Sequence, residues 1–236
     1  MKSNILIFSL LILGTYSCSK SDNNNGGEGE GNTVTPPSTT INQVTDVDGN
    51  KYDTIQIGSQ TWLQQNLKTT HYQTGAPIAS LSNVSQWSND NSGAFCYYNN
   101  DSTNKSTYGC LYNWYAVTNP ALLCPQGWHI PSDSEWMVLI NYLGGDSVAG
   151  GFLKSVSFWN APNMGASNSS GFNALPASFR DVDGMFNYIN DQAYFWTSTA
   201  RSNYYVESCN LSYKSSMALM NYYGKNCGFS IRCIKN

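Results

Sequence analysis

HIPSDSEWMVLINYLGG, residues 129–145, carries the most complete local instruction in the chain. Ser132 stands three residues before Glu135, a spacing at which hydroxyl and carboxylate satisfy each other's free backbone N–H at a helix start. Trp136, Leu139, Ile140 and Leu143 then recur at helical intervals and make one apolar stripe. Gly144 and Gly145 supply the stop, because glycine takes the left-handed conformation that closes a helix. An amphipathic helix of about three turns is predicted here. Weaker helical patterns lie on either side, over Leu111 to Val117, with Leu111, Trp114 and Tyr115 on one face, and over Val148 to Val156.

Toward the N-terminus lies DVDGNKYDTIQIGSQTWLQQNL, residues 46–67. Thr54 to Ile57 and Gln60 to Leu63 alternate apolar and polar residues about Gly58-Ser59, the pattern of a tight hairpin. The DVDGN at its head is not a calcium loop of the EF-hand kind, since the sixth and twelfth positions counted from Asp46 hold Lys51 and Ile57 rather than Gly and Glu. It reads as a polar turn. Toward the C-terminus the texture changes at Phe172 to short aromatic runs broken by Gly, Asn, Asp and Ser. Phe179, Met185 to Ile189, Tyr194 to Ser198, Tyr204 to Leu211, Met217 to Met220 and Phe229 to Ile234 are predicted strands of an antiparallel sheet. Two to three helices in the first half and a meander in the second define an α+β domain.

The ends set the compartment. Lys2 followed by the apolar run Ile5 to Leu13, broken only by Ser9, is a signal-peptide profile, too short to span a bilayer. Cys18, preceded by Ser17, resembles the lipobox cysteine of bacterial lipoproteins, which implies a signal peptide over 1–17 and a diacylglycerol anchor on Cys18. Residues 18–42 are rich in Gly, Asn, Ser, Thr and Pro and hold almost nothing apolar, so they form a tether that cannot offset its own ordering entropy. The remaining 43–236 are long enough for one domain. The expected location is the outer membrane, lipid-anchored, facing the cell surface.

Charge and cysteines agree. Twelve Lys and Arg against 15 Asp and Glu give −3, and loss of Lys2 with the leader makes this −4. No basic stripe exists to neutralise phosphates, so nucleic acid is excluded as a partner. Apart from Cys18, six cysteines remain, Cys96, Cys110, Cys124, Cys209, Cys227 and Cys233, an even number in an exported chain, and spacing alone leaves their pairing open. No close CxxC pair exists and only His71 and His129 accompany them, so zinc is not expected, nor is any other metal or cofactor.

Six segments carry a resemblance: DVDGNKYDTIQIGSQTWLQQNL, AFCYYNND (94–101), YGCLYNWYAV (108–117), LCPQGWHIPSDSEW (123–136), WTSTA (196–200) and GFSIRCIKN (228–236). In this order they resemble the Fibrobacter succinogenes major paralogous domain family, found in secreted and lipid-anchored proteins of Bacteroidetes and Fibrobacteres. The closing segment is similar to that of C-type-lectin-like and formylglycine-generating domains. That resemblance implies a C-type-lectin-like plan in which first and last strands pair, and a Cys124–Cys233 bridge. With that bridge granted, Cys209 with Cys227 and Cys96 with Cys110 are the expected remaining pairs.

The family name transfers location and fold better than chemistry. The expected function is a non-catalytic binding or adhesion module for a glycan or a protein partner, with a structural component of a surface complex as the alternative. Lectin calcium motifs of the EPN, QPD and WND kinds are absent. Trp62, Trp114, Trp128, Trp136 and Trp196 sit where core packing accounts for them, so the candidate binding residues are Tyr204, Tyr205, Tyr222 and Tyr223, near the Asn-rich strand connections. An enzyme of the formylglycine-generating kind is less favoured, because five residues separate Cys227 from Cys233, and His129 with Asp133 and Glu135 reads as a packed helix start.

Overall fold

The hairpin at Gly58 forms as its alternation requires. In the computed structural model, which describes residues 42–236, strand β1 (Gln43–Thr45) pairs with β2 (Lys51–Ile57), and β2 pairs antiparallel with β3 (Gln60–Leu63), Ile55 opposite Trp62. Gly58 turns the chain at φ +60°, a conformation costly for a residue with a Cβ. The signal segment, Cys18 and nearly all of the tether lie outside the described residues.

The chain continues through β4 (Ala79–Ser80), α1 (Val84–Asn89), β5 (Ala94–Cys96), α2 (Lys105–Tyr108), β6 (Leu111–Tyr112) and α3 (Trp114–Val117). Helix prediction over 111–117 is therefore half corrected. Leu111 and Tyr112 pair with Cys96 and Phe95, and the helix starts only after Asn113, whose side-chain oxygen accepts from the Ala116 and Ala94 N–H groups at 3.1 and 3.0 Å. The Asn cap sets the boundary where apolar spacing alone is blind.

After β7 (Trp128–His129) comes α4 (Asp133–Tyr142), with both halves of the Ser132–Glu135 capping box made and Trp136, Leu139 and Ile140 buried. Helix α5 (Asp146–Leu153) begins earlier than its predicted start and ends before Val156, because Lys154 leaves the helix in an extended conformation. Helix α5 lies backbone-to-backbone on the chain before the third strand of the meander: a Cβ on Gly150 would fall 2.1 Å from the Met217 carbonyl oxygen.

The second half holds β8 (Phe179–Arg180), β9 (Phe186–Asn187), β10 (Gln192–Ala200), β11 (Tyr205–Ser212), β12 (Ala218–Gly224) and β13 (Ile234–Lys235). The predicted single meander is divided. Strands β10-β11-β12 form a three-stranded antiparallel sheet, β8 and β9 form a separate ribbon, and β13 joins the N-terminal hairpin in a five-stranded sheet ordered β1-β2-β3-β13-β7. The division has a physical cause. Cys227 to Ile234 is buried at every position, so the segment is covered on both faces and threads between sheets. Its backbone bonds go to Tyr112, Tyr194 and Trp196 before Ile234 meets Trp62 and His129. The fold is α+β with several antiparallel sheets and five short α-helices among the described residues.

One disulfide closes this plan, Cys124–Cys233, with Cα atoms 6.0 Å apart and 109 residues between them in sequence. The expected pairs Cys96–Cys110 and Cys209–Cys227 are not formed: all four are free and buried. Each partner packs in a different apolar cluster. Cys96 sits with Trp87 and Leu111 while Cys110 belongs to the cluster of Tyr112 and Phe229; Cys209 sits with Phe195 and Leu211 while Cys227 is again with Phe229. Burial pushes the thiols of Cys96, Cys110 and Cys227 up to about 12, so they are small apolar fillers.

Three buried cations tie the irregular segments down, and among the described residues none has a carboxylate partner. Lys154 Nζ donates to the carbonyls of Met164, Ser212 and Ser215 at 2.8–2.9 Å. Arg180 donates to the carbonyls of Gly184, Leu81 and Ser82 and lies over the rings of Trp87 and Phe186. Arg232 donates to the carbonyls of Leu63 and Phe172 and to Asn66 Oδ1, with its guanidinium 4.2 Å from the Phe172 ring centre. Burial lowers Lys154 to about 8 and Arg232 to about 9.

Candidate functional site

The end of the meander positions the four candidate tyrosines. Antiparallel register sets Tyr205 opposite Gly224, Val206 opposite Tyr223 and Glu207 opposite Tyr222, so the tyrosines of two strands converge at one edge. Period-two alternation sends Tyr222 and Tyr223 to opposite faces there. The turn Asp181–Gly184 closes the other side. Val182 fills the space left at Gly224, where an added Cβ would meet Val182 Cγ1 at 3.0 Å.

The result is a cleft of about 670 Å³ lined by Tyr204, Tyr205, Tyr222 and Tyr223 together with Asp181, Val182, Gly224 and Cys227. Tyr204 is 78% exposed, Tyr205 56% and Tyr222 48%, well beyond what packing explains. Tyr223 is the anchored member. Its hydroxyl accepts from Asn210 Nδ2 at 2.8 Å, and its ring stands edge-on to Tyr194 and Phe229 at 5.5 and 5.1 Å. The cleft thus joins a rigid wall to three open rings.

Behind Tyr222 lies a polar group that sequence reasoning did not assign to the site. The Arg201 guanidinium rests 5.2 Å over the Tyr222 ring. Glu207 is 6% exposed with Oε2 lacking any hydrogen-bond partner. Burial raises its pKa, and the neighbouring Asp133 carboxylate raises it further, against the pull of Tyr222 and Arg201. Asp133 itself accepts from Thr199 Oγ1 at 2.9 Å. Asp181, Arg201 and Glu207 enter through contacts across 15 residues or more, which leave no local pattern in the chain.

The histidine groups are committed elsewhere. His129 Nε2 meets Glu135 Oε1 at 2.8 Å and Nδ1 meets Asn236 Oδ1 at 2.7 Å, so both ring nitrogens are engaged and Asp133 takes no part. His71 Nδ1 pairs with Asp48 Oδ1 at 2.6 Å. In the DVDGN turn, Asp46 Oδ1 accepts from the Asp48 and Asn50 N–H groups, and Oδ2 from Asn50 Nδ2 and the Tyr52 hydroxyl. Among the described residues no group of three or more His, Cys, Asp or Glu side chains is arranged to hold a metal. A smaller cleft of about 350 Å³ lies beside Gly58, Tyr142 and Phe152.

The chain belongs to the Fibrobacter succinogenes major domain family, whose model matches residues 55–235. No curated protein and no solved structure matches it.

Proposed function

We propose that this chain is a surface lipoprotein, anchored in the outer membrane through acylated Cys18, and that its domain is a non-catalytic binding module built on a C-type-lectin-like plan. The lectin-like plan is supported by the return of the last strand to the first hairpin, Ile234 opposite Trp62, and by the Cys124–Cys233 bridge. The four-tyrosine cleft is the ligand site. A single observation carries this reading: three tyrosines stand open around a cleft whose far wall is a fourth, partly buried and packed against the core. Exposed rings of this kind contribute large apolar contact at low ordering cost, and each keeps a hydroxyl for orientation. Glycans and protein partners are both within reach of such a surface.

Glycan-array and pull-down measurements on the chain and on a Tyr204→Ala/Tyr222→Ala variant test the assignment. Ligand retention should fall at least about tenfold in the variant, a loss of about 1.4 kcal/mol. Retention unchanged with the fold intact would move the site away from the cleft. A second reading, a structural component of a surface complex, draws on the apolar face where Val138 and Tyr142 of α4 and Val148 and Phe152 of α5 are exposed.

A further inference from the structure

Charge in the cleft narrows the ligand. Of its lining residues Asp181 alone is charged, and the rest of the wall is phenol ring, Val182, Gly224 and Cys227. Aromatic faces carry negative potential, so four tyrosines and one carboxylate make a surface that attracts a cation and offers an anion no positive charge to pair with. Asp181 is available: its Oδ1 accepts the adjacent Val182 N–H at 2.7 Å, and no side chain of the described residues donates to it. The chain as a whole carries −3, which adds long-range attraction for a basic partner.

The molecule already places cations of both kinds on aromatic rings: Lys154, Lys214 and Lys225 rest over Trp159, Tyr213 and Trp114 at 5.4, 5.1 and 4.9 Å. Arg201 lies over Tyr222 at the cleft's edge, and the closest approaches are guanidiniums, Arg180 over Trp87 at 4.5 Å and Arg232 over Phe172 at 4.2 Å. The positive charge of Arg201 is offset by Asp133 and Glu207 behind it, so the open side of the cleft keeps its negative character. A planar guanidinium can stack on a phenol and bond a carboxylate through two parallel N–H groups, which an ammonium cannot match. About 670 Å³ is ample for such a side chain with its flanking backbone.

We propose that the cleft receives an arginine side chain of a protein partner, stacked on the open tyrosines and paired with Asp181. The inference rests on the cleft being the binding site.

The test is calorimetric titration of the full chain with a blocked tetrapeptide bearing two arginines, with its citrulline counterpart of equal shape and no charge, and with a neutral oligosaccharide, cellotetraose. The arginine peptide should bind at least about tenfold tighter than the citrulline peptide, a difference of about 1.4 kcal/mol. Asp181→Asn should erase that difference while leaving the melting temperature in place, and Tyr204→Ala/Tyr222→Ala should weaken both peptides. Equal binding of the two peptides, or an arginine preference indifferent to Asp181→Asn, overturns the arginine assignment. If cellotetraose binds instead and is lost in the double tyrosine variant, the cleft stands and its cation preference falls. If no probe is sensitive to the tyrosines, both readings fall together.

Discussion

Replacing Cys124 and Cys233 together by alanine should cost this domain much of its stability. The bridge joins positions 109 apart, and closing a loop of that length removes about 4.8 kcal/mol of conformational freedom from the unfolded chain near room temperature in the entropic model. Domains hold only about 5–15 kcal/mol in all. The loss is therefore a third or more of the total, equivalent to a fall of about 10–20 °C in Tm for a domain of this size. Urea unfolding followed by circular dichroism and by tryptophan fluorescence gives both midpoint and slope. The midpoint should fall and the slope m should rise, because an uncrosslinked unfolded chain exposes more surface. Both sulfurs are buried, so a modest packing loss adds in the same direction. A change under about 1 kcal/mol with unaltered m would refute the reasoning, since it would mean that the unfolded chain keeps these two positions together without the bond.

Arg232→Met should destabilise by roughly 3 kcal/mol, because the carbonyls of Leu63 and Phe172 and the Asn66 amide oxygen lose their buried donor, and Arg232→Ala should cost more by leaving a void; equilibrium unfolding measures both. Glu207→Gln should stabilise the domain at neutral pH by about 1 kcal/mol, since the amide relieves a buried carboxylate beside Asp133. Its pH dependence has a definite sign. Glu207 has a raised pKa in the folded state, so its contribution is full below the ordinary 4.5 and is lost as pH rises through the raised value, and melting curves across that window should flatten in the variant. Loss of ligand in the double tyrosine variant and the arginine preference of the cleft complete the set.

What was legible follows the range of the interaction. Ser132, Glu135 and the stripe of Trp136, Leu139 and Ile140 act within one helix, and Gly58 acts within one turn, so their patterns survive in the linear chain. The tyrosines were legible for a different reason: Tyr204 and Tyr205, like Tyr222 and Tyr223, are adjacent pairs, so no one buried face accounts for both members. Leu111 misled because a two-residue strand and a helical turn show the same apolar spacing until Asn113 caps the one that follows. The thiols misled because an even count in a chain expected to be exported suggests pairing, whereas each expected pair is split between separate clusters. Asp181 joined the site from a turn beside β8 whose next residue, Val182, fills the space at Gly224, a contact with no signature in spacing.

The interior cations have a consequence for the surroundings this domain can tolerate. Lys154, Arg180 and Arg232 are solvated by amide oxygens, of the backbone and of Asn66, which have no proton to gain in mild acid, so acidification strips none of them of a counter-ion. Most proteins unfold in acid as their internal carboxylates are neutralised. Here the long crossing segments are fastened by dipoles of constant strength, a design suited to a scaffold that must hold its shape wherever its medium turns sour.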